Sequence, residues 1–111
     1  MDFRLETTER GRGLVLLRPS GEIDVTTAGQ LVDAVVNRSE PVTECAIDLS
    51  DVTFMDSSGI KAIVVCRDWL HRRAGTIRVV GASDTTAKLL HLTGIDYLLE
   101  RDEAIESAVA N

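Results

Sequence analysis

Cys45-Ala46-Ile47-Asp48-Leu49, a connection over Ser50 to Met55, and then Asp56-Ser57-Ser58-Gly59-Ile60-Lys61 form the stretch on which the fold turns. The first five residues are mainly apolar, the pattern of a short strand inside a sheet. The last six open a helix. Either Asp56 or Ser57 can be its N-cap, because a side-chain oxygen there accepts a bond from a first-turn N–H that has no helical partner. Ile60, Ile63 and Val64, the aliphatic stem of Arg67 and then Leu70 follow as its apolar positions. Ala74-Gly75 stops the helix, and Thr76 to Val80 supplies a further strand.

Toward the N-terminus, Phe3 and Leu5 alternate with polar residues through Glu9. Gly11-Arg12-Gly13 is a turn signal and Leu14 to Leu17 a second strand, so the two form a hairpin. Gly21 breaks that pattern. Thr26 or Thr27 caps a helix by accepting a backbone N–H bond, and Ala28, Leu31, Val32, Val35 and Val36 give it one buried face, with Pro41 beyond its end. Toward the C-terminus, Ser83 caps a helix carrying Ala87 and Leu90 that ends at Gly94. Tyr97 to Leu99 reads as a short strand, and Asp102 caps a last helix with Ile105 and Val109. The expected fold class is therefore α/β, one domain over residues 1–111. It has a mixed, mostly parallel sheet of about five strands, opened by a hairpin, with about four helices packed on it. Helices this short are marginal alone, so packing on the sheet must carry them.

Composition narrows the function. Aromatic residues supply only 4% of the chain, too few for platforms that stack bases or sugars. A formal net charge of -6 without a basic stripe argues against nucleic acid, whose binding rests on neutralising phosphates, and against anionic membrane surfaces. Cys45 and Cys66 sit in apolar runs and are expected as buried free thiols of a reducing compartment. Met1 to Glu6 has no apolar core of a signal peptide, and the longest apolar run, Ala62 to Cys66, is far short of a membrane span. The cytoplasm is the expected location, with no direct membrane insertion.

One cluster stands out, Phe54-Met55-Asp56-Ser57-Ser58-Gly59-Ile60. A hydroxyl at a helix entry is exposed and close to the positive end of the helix dipole, where a covalently attached phosphate is accommodated. Gly59 is expected to leave the backbone uncovered for a partner to approach. Phosphate adds charge and bulk beside Asp56, which a docked partner would meet and the fold would not. The same residues are also ordinary helix-start chemistry.

The surrounding blocks add to this. Gly21-Glu22-Ile23-Asp24 with Thr27-Ala28 resembles a signature of STAS domains. Asp48-Leu49-Ser50 through Ile60 resembles their central motif, and Ala74-Gly75-Thr76 and Leu92-Thr93-Gly94-Ile95-Asp96 match later landmarks in order. Within that family, a lone domain with Asp-Ser-Ser-Gly is most similar to anti-sigma factor antagonists. The resemblance implies a non-enzymatic switch. The unphosphorylated protein binds an anti-sigma factor that is a serine kinase with a GHKL-type ATP site, and thereby frees a sigma factor. Phosphorylation at Ser57 blocks binding, and a PP2C-type phosphatase reverses it. Carried over by position, Ser57 is the phosphoacceptor, ranked above Ser58, and Asp24 is an acidic contact beside it. Asp24, Asp56, Ser57, Ser58, Gly59, Ile60 and Lys61 form the partner-binding set. No cofactor is implied, and the free protein is expected to be a monomer. Lys61 departs from the family's usual glycine. It either offsets a phosphate on Ser57, alters which kinase docks, or is a solvated lysine. The alternative within the family is a subunit of an ABC-type membrane transport system that docks without phosphorylation.

Other chemistry lacks its residues. His71 and His91 have no Cys or carboxylate at metal-ligand spacing, and His71 fits a helix C-terminus as a dipole partner. No phosphate loop or dinucleotide fingerprint occurs, and Ser57 is in no nucleophile elbow. Trp69 is read as core before partner surface, and Arg67, Arg72 and Arg73 as a solvated face.

Overall fold

A computed structural model of the chain describes residues 2–99. Strand β1 (Arg4–Arg10) turns through Gly11 to Gly13 into β2 (Leu14–Ile23), and helix α1 (Ala28–Val36) follows. Strands β3 (Glu44–Asp48) and β4 (Asp51–Met55) precede the longest helix, α2 (Ser57–His71). Strand β5 (Thr76–Val80), helix α3 (Asp84–Leu92) and a 3-10 turn (Asp96–Leu98) complete the described chain. The helix expected after Asp102 lies outside the described residues.

Strand β2 organises the sheet. β1 runs antiparallel along one edge, with Arg4 opposite Ser20 and Arg10 opposite Leu14. Along the other edge β2 carries two parallel partners in succession, β3 beside Leu14 to Leu17 and β4 beside Ser20 to Ile23. β5 adds parallel to β3. Gly21 does not end β2, contrary to the sequence expectation. It adopts φ 87°, and a Cβ there would come within 2.6 Å of the Asp2 carbonyl oxygen. A residue without a side chain lets the strand continue past this close approach to the chain before β1.

Two other expectations are corrected. The connection over Ser50 to Met55 is largely strand β4, because Val52 and Met55 point into the core while Asp51 and Thr53 face solvent. The polar turn at its start disguises it: Asp48 accepts hydrogen bonds from the Ser50 N–H (3.0 Å) and the Ser50 hydroxyl. Tyr97 to Leu99 is not a strand. Its first two residues belong to the 3-10 turn, and only Leu99 bridges to Val79. The strand total of five is thus reached with β4 in its place.

The core joins Val15, Leu17 and Ile23 of β2 to Cys45, Ile47 and Val79, under Leu31 and Val35 of α1 and Ile60, Ile63, Cys66 and Leu70 of α2. Burying each large aliphatic side chain stabilises by about 1.5–3 kcal/mol, far more than the intrinsic propensity of any helical residue. Cys66 is wedged between the two helices, its Sγ 3.8 Å from the Leu31 carbonyl. Both thiols are free and buried, and burial pushes each up to about 12, so neither is a thiolate at neutral pH. Trp69 is half-buried against the core, with the Arg73 guanidinium 3.3 Å over its ring.

Helix α2 ends at His71, just ahead of the Ala74-Gly75 pair expected to stop it, and the left-handed residue of the pair is the alanine. Ala74 takes the left-handed conformation, φ 57°. Gly75 is buried, with room for no Cβ beyond 3.0 Å from the Thr43 carbonyl oxygen. An L-residue in that conformation costs about 1–2 kcal/mol, partly offset by the greater freedom of glycine in the unfolded chain. Ala74→Gly is therefore expected to stabilise the protein by about 0.5–1 kcal/mol, raising Tm by a few degrees in calorimetry.

Candidate functional site

The end of the sheet where β2 and β4 finish side by side carries the candidate site. Ile23 is in register with Met55. The Asp56 N–H donates to the Ile23 carbonyl oxygen at 3.2 Å. The residues that follow, Asp24 and Asp56, therefore leave neighbouring parallel strands together. Carboxyl ends of such strands are where open α/β sheets commonly place their sites.

Asp56 is the N-cap of α2, its Oδ1 accepting from the Ser58 N–H at 2.8 Å. That settles the choice left open between Asp56 and Ser57. Losing this cap in Asp56→Ala is expected to cost about 1 kcal/mol in urea unfolding. Ser57, the first helical residue, is exposed, and its hydroxyl makes no hydrogen bond with any described residue. Ser58 is half-buried.

Asp24 is held by its own loop. Its Oδ1 accepts from the Thr26 N–H at 2.9 Å and the Thr26 hydroxyl at 2.7 Å. These bonds, with weaker ones from Thr27, hold its carboxyl below the usual carboxylate range, so it is charged at neutral pH. Thr27 does not cap α1 by accepting a helical N–H. Its hydroxyl donates to the Glu22 carbonyl oxygen at 2.9 Å and accepts from the Asp24 N–H at 2.9 Å. Thr26 and Thr27 are thus the site residues that sequence reasoning undervalued. An Asp followed two and three residues later by Thr was the available signal.

The remaining members of the expected set divide. Lys61 is exposed on the first turns of α2. Ile60, only 8% exposed, is a core residue and offers little to a partner. Gly59 does not leave the backbone uncovered. It is buried, and a Cβ would stand 2.6 Å from the Met55 sulfur and 3.0 Å from Ile23 Cγ2. Its role is to let α2 approach β2 and β4.

Among the described residues no three His, Cys, Asp or Glu side chains are grouped to hold a metal, and no helix is long and apolar enough to cross a membrane. His91 bonds Asp96 at 3.0 Å, near the far end of α3, and His71 lies in the last turn of α2. Neither is part of the arrangement around Ser57.

Comparison with known proteins bears on this arrangement. The family model described as "STAS domain" matches residues 4–110. The chain belongs to the STAS domain family. It is 30% identical over 101 residues to the anti-sigma-B factor antagonist of Listeria monocytogenes, covering 90% of this chain and 89% of that one. A solved anti-sigma factor antagonist from Mycobacterium paratuberculosis is 31% identical with TM-score 0.73, over 99% of this STAS chain and 96% of the other. The anti-sigma factor antagonist SpoIIAA in its unphosphorylated form superposes with TM-score 0.82 at 22% identity, over 97% and 98% of the two chains, a likeness of fold. The hairpin-led α/β sheet expected from the sequence is the fold of this STAS domain.

Proposed function

We propose that this STAS domain is an anti-sigma factor antagonist that works by partner switching in the cytoplasm, as a non-enzymatic monomer. In its unphosphorylated form it binds an anti-sigma factor that is itself a serine kinase of GHKL type, and so releases a sigma factor. Phosphorylation of Ser57 blocks that binding, and a PP2C-type phosphatase restores it. The observation that carries this reading is the exposed Ser57 hydroxyl without a hydrogen bond to any described residue, at the mouth of α2, beside the capping carboxylate of Asp56 and the loop of Asp24. The hydroxyl is free to react, and phosphate added there breaks no bond among the described residues. The identity near 30% to proteins named as antagonists supports it over the transport-subunit alternative. Incubation with the cognate anti-sigma factor and ATP is expected to add one phosphate, found on Ser57 by mass spectrometry. Ser57→Ala is expected to abolish the labelling and keep the binding. Labelling that persists in Ser57→Ala and moves to Ser58 would overturn the assignment of the acceptor.

A further inference from the structure

Two glycines lie in the first turns of the helices beside Ser57, and the protein's own packing explains only one. Gly59 is enclosed by Met55 and Ile23. Gly29, the second residue of α1, is exposed, its φ is not positive, and a Cβ built there meets nothing within 4 Å. A glycine inside a helix lowers stability relative to alanine, and here no internal contact requires it.

Gly29 lines an open groove of about 280 Å³ between α1 and α2. Gly29 and Val32 of α1 form one bank together with Val25 of the turn that precedes the helix. Ser58, Lys61 and Val65 form the other, at i, i+3 and i+7. Val25 is 82% exposed and Val65 39%, so apolar surface on both banks is open to solvent. Both helices follow parallel strands and begin at the same end of the sheet. The groove therefore opens beside Ser57: Val25 follows Asp24, and Ser58 follows Ser57.

We infer that this groove is the apolar half of the surface that docks the anti-sigma factor, and that it receives an aliphatic ridge of that partner with a flanking carboxylate on Lys61. The inference rests on the reading that the Ser57 side binds an anti-sigma factor, and it deepens that reading. A partner that covers Ser57 also covers the mouth of the groove, because the two share α2's first turns and the loop after β2. The missing side chain at Gly29 lets the partner's backbone come close to α1, and exposed valines give it something to bury. Lys61 is the groove's cation, while the Oδ1 atoms of nearby Asp24 and Asp56 are engaged within the chain. A second copy of this chain fits less well, since two grooves meeting about a two-fold axis would bring one Lys61 toward the other.

The test uses the full chain and purified anti-sigma factors of the source organism, by calorimetric titration and thermal unfolding. Gly29→Ala is expected to raise Tm by about 2–5 °C while weakening binding about three- to tenfold. Gly29→Leu is expected to weaken binding about a hundredfold with no loss of Tm, and Lys61→Glu about tenfold. Gly29→Leu binding like the wild type, while Ser57→Asp binds weakly, would overturn the groove and leave the Ser57 switch standing. Weak binding by Gly29→Leu with wild-type binding by Ser57→Asp and by the phosphorylated protein would uphold the groove and overturn the switch. A wild-type dimer in sedimentation that Gly29→Leu dissociates would assign the groove to a second copy, against the inference.

Discussion

Phosphorylated on Ser57, the protein is expected to bind its anti-sigma factor about a hundredfold more weakly than with the free hydroxyl, a change of about 3 kcal/mol. The phosphoryl group brings about -1.5 to -2 charge at neutral pH to a place beside Asp56 and Asp24, whose carboxyl is held below the usual range and is charged at that pH. Within the protein this is tolerable, because the helix N-terminus favours an anion and the hydroxyl is exposed to solvent. Thermal stability should therefore move little on phosphorylation. A partner seated on the same surface has no such relief, since it meets both added bulk and charge that its own contact would desolvate. Ser57→Ala should bind like the wild type. Ser57→Asp adds one charge and less bulk, and a loss nearer tenfold is expected. Two conditions separate charge from bulk. If charge dominates, the ratio of affinities should narrow as ionic strength rises, because exposed charges are screened over about 10 Å at 0.1 M salt. It should also narrow below about pH 6, where the phosphate takes up its second proton. Titration calorimetry of the two forms measures all of this. Equal affinities of modified and unmodified protein at low salt and pH 7.5 would defeat the switch.

What could be seen in the sequence is set by how local the cause is. Helix α2 was legible because its cap, its apolar spacing and its stop all lie within about 20 residues of one another. Likewise the spacing of α1 states which face is buried, whereas β1, an edge strand, buries no residue and keeps its alternation only as far as Leu5. β4 was not legible, since Asp48-Leu49-Ser50 has the chemistry of a turn, and only the length of β2 provides a partner for the residues that follow. Gly21 misled for a related reason: its positive φ marks a close contact with the chain at Asp2, not a strand end. At the site, Asp24, Asp56 and Ser57 were named from motif and capping chemistry. Their adjacency depends on the register of Ile23 with Met55, a contact across 32 residues that no local pattern encodes. Glycine was the least legible residue. Gly21, Gly29, Gly59 and Gly75 look alike in a sequence, yet each answers to a different neighbour or to none.

That difference gives the second large effect. Gly59→Val is expected to destabilise the protein by about 3 kcal/mol, lowering Tm by roughly 10–15 °C. A Cβ at this position stands 2.6 Å from the Met55 sulfur and 3.0 Å from Ile23 Cγ2, and Ile23 is wholly buried. Met55 is unbranched and can yield, but Ile23 is fixed between strand and helix, so α2 itself must shift from the sheet. For Gly59→Ala, better helix propensity offsets part of the clash, and a net loss of about 1 kcal/mol is expected. Met55→Ala alone should cost about 2–4 kcal/mol through the cavity it leaves. The double variant provides the decisive comparison. A methyl at position 59 occupies space that Met55 has vacated, so the two losses should sum to more than the double variant shows, by about 0.5–1 kcal/mol or more. Urea unfolding of the four proteins closes this cycle. If Gly59→Ala folds and binds the anti-sigma factor as the wild type does, the glycine serves internal packing, as its burial indicates. Strict additivity, or a Gly59→Val protein as stable as the wild type, would instead return Gly59 to the docking surface and remove the packing account of why α2 begins with Ser-Ser-Gly.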